Sequence, residues 1–368
     1  MIAVFTCKQH YAIPAKAIKN LSFLVVEGDI SVGQDSTIIQ LSHVTALSDT
    51  TQAIVPENGA VITVESDAGR KFPLSGLGNG VYGIGQVTPG AANEKYRLNI
   101  TTAGNRQYVS DFVEFKKTPP IDSISWEQLE DGVHIYVNTH DDANNTKYYK
   151  WSYSQTWQYH LAYDSKLEYI HNAILPRDIP IYTCWKTLPL SPIELQATIK
   201  LAKDVVYKKQ LMFIPTSDFK IQVLYSILVR QSVLTQQGYD YWTGLSRNTE
   251  QLGSLFDALP LALAGNIHSV TDSSEKVIGF ISAATTMQQR LFIKRTSVIN
   301  WQDPLSIRGY CDTIHINNSG NIILLVGDAY IPIDLAFEPT GSVVYAAPIE
   351  CTDCRTKGGV LAKPPFWP

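Results

Sequence analysis

Residues 94–126, EKYRLNITTAGNRQYVSDFVEFKKTPPIDSISW, decide how the rest of the chain is read. Two strand-like runs, EKYRLNIT and RQYVSDFVEF, stand on either side of a turn signal, and Pro119-Pro120 then interrupts. Proline has no N–H for a sheet ladder and favours a stiff, extended connection, so a domain boundary is expected there. The expected first domain is 21–118 and the second 121–368, with 1–20 a leader and linker.

Upstream of the boundary the same alternation repeats in LSFLVVEGDI, AVITVES and GNGVYGIG. Turn signals spaced by roughly 8–12 residues are the pattern of a β-sandwich, so an immunoglobulin/fibronectin-like fold is expected for the first domain. Downstream, GVHIYVNT, YYKWSYSQTW, VVYKKQLMFI and FKIQVLYSILVRQSVL are again strand-like. One helical insertion is expected over 235–253. Thr235 serves as its N-cap, and Tyr239, Trp242, Leu245 and Leu252 recur at helical spacing before Gly253. Strand signals resume in KVIGFISAA, QRLFIKRT, NIILLVGDAYIPID and GSVVYAAP. The expected fold class is mainly β: a β-sandwich followed by a larger β-rich domain.

Composition agrees with that reading. A chain of 368 residues exceeds one ordinary core, and 19 tyrosines and 7 tryptophans against 3 methionines suit strands better than helical bundles. A formal charge of -4 gives no general attraction to nucleic acid, which is not expected as a partner. No apolar run reaches the length of a membrane helix. The opening residues, MIAVFTC, form a short apolar stub ending in Cys7. That stub reads either as the end of a bacterial lipoprotein signal, with Cys7 taking the lipid, or as a plain N-terminal strand with a buried cysteine.

Motifs for chemistry are sparse. Gly78, Gly80 and Gly83 match GxGxxG by letter, yet strand-like residues follow where a dinucleotide site needs a helix, so a glycine-rich turn is expected. The sequence contains no HExxH, GxSxG, P-loop or EF-hand signature, and no catalytic residue, metal or cofactor is expected. After His140, Asp141, Asp142, Asn144 and Asn145 could gather oxygen ligands for calcium, but their setting favours a polar hairpin tip over a calcium loop.

The aromatic run from Tyr148 to Tyr169 divides in two. Alternation puts Tyr149, Trp151 and Tyr153 on one strand face, with Trp151 expected in the core. Tyr159, Tyr163 and Tyr169 are the expected binding-surface residues. Five cysteines complete the inventory. With Cys7 reserved for lipid, Cys184, Cys311, Cys351 and Cys354 suffice for two disulfides in an oxidising compartment, in any of three connectivities. A clasp holding the tail RTKGGVLAKPPFWP is favoured over a redox pair or a zinc knuckle.

Taken in order, LVVEG, VYGIG, YRLNI, PPIDSISW, YYKWSYSQTW, YSILVRQSVLTQQGYDYWTGL, GSLFDALP, AGNIHSV and CTDCRTKGG resemble a Bacteroidota lipoprotein family, domain-of-unknown-function family 4249. The resemblance implies a lipid-anchored outer-membrane protein on the cell exterior. It further implies an accessory role beside a SusC-like TonB-dependent receptor, with membrane contact through the lipid on Cys7. No catalytic residue is carried over. The rival expectation is a secreted or surface hydrolase acting on glycans or peptides, built from carboxylates that strands bring together.

Overall fold

A computed structural model describes residues 23–33, 35–44, 54–91, 93–189, 193–252, 265–301, 311–316, 325, 329–338 and 341–368, with backbone alone at 44, 54, 248–252 and 338. It is mainly β, with one α-helix among the described residues. Cys7 lies outside them.

The described residues up to Thr118 hold ten strands: β1 (Phe23–Ser31), β2 (Thr37–Val44), β3 (Ile54–Pro56), β4 (Val61–Ser66), β5 (Lys71–Pro73), β6 (Ser75–Gly78), β7 (Val81–Ile84), β8 (Lys95–Thr101), β9 (Gln107–Ser110) and β10 (Val113–Lys116). Nine follow Pro120: β11 (Ile121–Gln128), β12 (Gly132–His140), β13 (Tyr148–His160), β14 (Leu167–Ile170), β15 (Ala173–Pro176), β16 (Thr183–Leu188), β17 (Glu194–Ala197), β18 (Val205–Pro215) and β19 (Leu224–Val233). Helix α1 (Gln236–Leu252) leads to three short strands, β20 (Ile267–Ser269), β21 (Val277–Ile278) and β22 (Ala283–Ala284). The chain ends with β23 (Met287–Lys294), β24 (Ile314–Ile316), β25 (Tyr330–Glu338) and β26 (Gly341–Pro348).

Two compact units result, and neither is one continuous stretch. The described residues of Met1–Thr118, Lys147–Tyr149 and Ser232–Thr286 form the first; those of Pro119–Thr146, Lys150–Gln231 and Met287–Pro368 form the second. The sequence reading gave α1 and the strands after it to the second domain. Their pairing corrects that assignment. β20 joins β9, β21 lies parallel to β1, and β22 runs parallel to both β1 and β10. Strands of two or three residues carry no readable period, so their partners were hidden in the sequence.

In the first unit these pairings make one sheet of thirteen strands, with β22 joining the β1–β2–β7–β6 half to the β10–β8–β9 half. Both halves supply the same core. Leu24, Val26, Ile39 and Leu41 come from one, and Val64, Tyr96, Leu98 and Ile100 from the other. Alternation does the sorting: along β8, Tyr96, Leu98 and Ile100 point inward while the residues between them do not. The GxGxxG stretch is the β6–β7 hairpin. Asn79 and Gly80 both take positive φ, 52° and 73°, as a tight two-residue turn requires. A side chain at Gly80 would also stand 2.3 Å from the Leu41 carbonyl oxygen.

α1 belongs to this unit. Thr235 caps it, its Oγ1 accepting from the Gly238 N–H at 3.2 Å. The face that docks carries Gly238 and the buried Tyr241, both against Phe280, whereas Tyr239 and Trp242 of the expected stripe are half-buried. The missing side chain at Gly238 lets Phe280 approach. Gly253 lies outside the described residues.

The described residues of the second unit form four sheets: β11–β12–β18, a five-stranded sheet in which β16, β13, β19 and β23 are neighbours and β17 adds to β13, the β14–β15 hairpin, and β24–β26–β25. Trp151 is fully buried, as expected of a core residue. Its indole N–H donates to Gln231 Oε1 at 2.7 Å, and Gln231 Nε2 donates to the Pro119 carbonyl and Thr139 Oγ1. A buried amide is tolerated here because its polar atoms are bonded.

Candidate functional site

The residues marked from sequence gather at the C-terminal end of the second unit. Beyond β26 the chain forms no strand, only an isolated bridge at Val360, and covalent and polar ties hold it. Cys184, on β16, bonds Cys354 with a Cα–Cα separation of 5.6 Å, and Cys311 bonds Cys351 at 5.8 Å. Both separations suit unstrained bridges. The two pairings select one of the three connectivities open in the sequence, and the clasp is a disulfide clasp rather than a zinc knuckle.

Two of the three tyrosines expected on a binding surface are built into this clasp. Tyr159 pairs with Cys184 in the β13–β16 register and is 1% exposed. Its hydroxyl donates to the Cys354 carbonyl at 2.6 Å, and its ring meets Phe219 edge-on. Burial pushes its phenol pKa up, favouring the neutral donor. Tyr159 is therefore no ligand platform: it sits on the inward face of β13 that Trp151, Tyr153 and Trp157 share. Tyr163 serves the other disulfide. Its N–H donates to the Cys351 carbonyl at 3.1 Å and its hydroxyl to the Cys311 carbonyl at 2.8 Å. Tyr169, on β14, is half-buried against the small core of Ile316, Leu325, Val344 and Ala346. None of the three stands free on the surface.

Between the cysteines the backbone is closed by its own side chains. Asp353 accepts from the Arg355 N–H at 2.9 Å and pairs with its guanidinium at 2.6 Å. The Cys354 N–H reaches the Ile181 carbonyl at 2.9 Å. The segment then turns through Gly358 and joins the edge of β16, where Val360 and Trp185 exchange backbone hydrogen bonds. Gly359 fits because it lacks a side chain: a Cβ there would stand 2.3 Å from Tyr159 Oη and 2.7 Å from Cys184 Cβ. Beyond it, Trp367 is buried, its ring edge-on to Phe292 and its N–H donating to Gln158 Oε1 at 3.2 Å. Phe366 remains 42% exposed, with the Arg290 guanidinium 3.6 Å from its ring centre.

The remaining sequence candidates are accounted for locally. Asp141 turns its carboxylate onto its own loop, accepting from the N–H groups of Ala143, Asn145 and Thr146 at 2.8–3.0 Å. His140 pairs with Asp122 at 2.8 Å, which raises its pKa. The loop is the polar turn expected from its composition, but it is not a hairpin tip: β12 pairs with β11 and β18, while β13 lies in another sheet. Among the described residues no cluster of three His, Cys, Asp or Glu could hold a metal ion. Nor is any helix among them long and apolar enough to cross a membrane.

Sequence reasoning missed the clasp's non-covalent half. Nothing in the spacing of Tyr159 or Tyr163 showed that their hydroxyls would meet cysteine carbonyls nearly two hundred and about one hundred and fifty positions away. The one legible signal was Gly358-Gly359, three residues beyond the CxxC.

Comparison with known proteins adds a family and little else. No curated protein matches the chain. One similar solved chain is described as "Complete structure of manganese lipoxygenase of Gaeumannomyces graminis and partial structure of zonadhesin of Komagataella pastoris". It is 12% identical over 59% of this chain and 90% of that one, with a TM-score of 0.16, a likeness that bears on neither fold nor function. The family model described as "Domain of unknown function (DUF4249)" matches residues 10–290, well over half of the sequence, and the chain belongs to that family.

Proposed function

We propose that this chain is a lipid-anchored outer-membrane protein facing the cell exterior, where it acts as an accessory, non-catalytic binding subunit of a TonB-dependent transporter. The observation that carries the reading is the pairing of four of the five cysteines in two disulfides, which leaves Cys7 without a cysteine partner. Such bonds persist in oxidising compartments. In this reading Cys7, after its short apolar stub, takes the lipid, and the partner is carried over from the sequence resemblance to a lipoprotein family found beside SusC-like receptors. For the first unit we propose an immunoglobulin/fibronectin-like sandwich ancestry, supported by two sheet halves that share one core.

Isolation of the full chain from native membranes in mild detergent tests the proposal. A β-barrel receptor should co-purify, and labelled fatty acid should be incorporated and then lost in Cys7→Ser. Recovery as a lone protein without lipid contradicts it. Turnover of a glycan or peptide panel by the pure protein would instead favour the hydrolase reading.

A further inference from the structure

Four neighbouring strands of the second unit's largest sheet, β16, β13, β19 and β23, contain no aspartate or glutamate at all. They do contain Lys150, Lys186, Arg230, Arg290 and Lys294. On β19, Ile227, Val229 and Gln231 face the core, so Ser226, Leu228 and Arg230 lie on the opposite face. The β19–β23 register sets Arg290 across from Leu228 and Gln288 across from Arg230. Arg230 and Arg290 are thus diagonal neighbours on one face, about 7–8 Å apart by the usual sheet geometry.

Arg230 and Arg290 are both half-buried as residues. Arg290 is fixed in place: its Nη1 donates to the buried Ser226 Oγ at 3.0 Å, and Phe366 stacks on it. Its other donors have no protein acceptor among the described residues, and Arg230 has neither a hydrogen bond nor an ion pair there. Burial lowers the pKa of Arg290, and repulsion from Arg230 lowers it further. Guanidinium stays protonated near neutral pH, so the pair persists as two adjacent positive charges with idle donors. Such an arrangement costs stability unless an anion fills it. Planar N–H forks match the oxygens of carboxylates and phosphates.

We propose that Arg230 and Arg290 form a binding site for an oxyanion, a carboxylate or phosphate group of the ligand, on this face of the sheet. The site uses only side chains of the second unit and does not depend on the transporter reading above. Arg290, held by Ser226 and Phe366, is the preorganised half; Arg230 closes on the ligand.

Titration of the full chain with inorganic phosphate and, separately, with succinate tests this, each at constant ionic strength against chloride, read by calorimetry and by thermal shift. Saturable binding of at least one anion is expected, with a melting temperature that rises as the site fills. The tighter of the two names the ligand class. Arg230→Gln should weaken binding about tenfold or more, since bidentate pairing and half the charge are lost. In chloride alone, without phosphate or succinate, that variant should melt no lower than wild type, because a repulsion has been relieved. Arg230→Lys keeps the charge and should bind with intermediate affinity. Absence of saturable binding for both anions, or equal affinity in wild type and Arg230→Gln, overturns the proposal.

Discussion

The first unit and the C-terminal end of the second solve one problem by different means. The first unit closes a sheet around Leu24, Ile39, Val64, Tyr96, Leu98 and their neighbours, and its described residues contain no disulfide. Among its described residues the C-terminal end has a small core around Ile316, Leu325, Val344 and Ala346 and a tail with almost no regular structure, and there two disulfides act. The contrast teaches where covalent ties matter. Burying apolar area contributes roughly 25 cal/mol per Å², so a long alternating strand stabilises itself while a strandless tail cannot. Closing a loop by a bridge stabilises by restricting the unfolded chain, and that gain grows with loop length.

The largest expected effect follows from that length. Cys184–Cys354 closes 170 positions, so Cys184→Ala with Cys354→Ala should cost the second unit about 4–5 kcal/mol. Hydrogen exchange followed by mass spectrometry should show protection lost over β16 and 351–367 but retained over β8. Equal loss in both places would break the comparison.

The first unit should answer to packing instead. Leu98→Ala removes a fully buried side chain and should cost about 3 kcal/mol, unchanged by added reductant. If reductant altered that value, the first unit's stability would be tied to the disulfides after all.

Gly359→Ala sharpens the account at a single atom. Its new methyl would meet the Tyr159 hydroxyl and Cys184, both held in place, and should cost about 1–3 kcal/mol. Combining it with Tyr159→Phe should recover part of the loss. No recovery would mean that the backbone, not that hydroxyl, sets the fit.

The smallest effect concerns pH. In the first unit Arg70 grips Glu94 through two hydrogen bonds of 3.0 and 2.7 Å and also donates to Tyr96 Oη. Hydrogen bonding from Ser66, then from Arg70, holds the Glu94 carboxyl below its ordinary pKa of 4.5. A carboxyl depressed by folding stabilises above its unfolded pKa, and that contribution is lost as pH falls through the folded value. First-unit stability should therefore decline below about pH 4.5, and Glu94→Gln should flatten the decline, as read from denaturant midpoints at each pH.

Much of this was legible in the residues, and unevenly so. Strands such as β8 and β12 announced themselves by alternation, Thr235 marked the start of α1, and cysteine parity pointed to two bridges. Which cysteines pair was not legible, because connectivity depends on where β16 lands. The return of β20–β22 to the first sheet was equally hidden. Asn266 shows why: its side-chain amide binds both backbone groups of Ile281, doing a strand's work with one residue. The tyrosines misled because an aromatic that fills a clasp and one that greets a ligand have the same letter and the same spacing.

The clasp itself is tested most directly by peptide mapping of the purified chain under non-reducing, denaturing conditions. The account predicts two cross-linked species, Cys184 with Cys354 and Cys311 with Cys351, and no free thiol among these four. Four free thiols, or Cys351 and Cys354 bonded to each other, would contradict it.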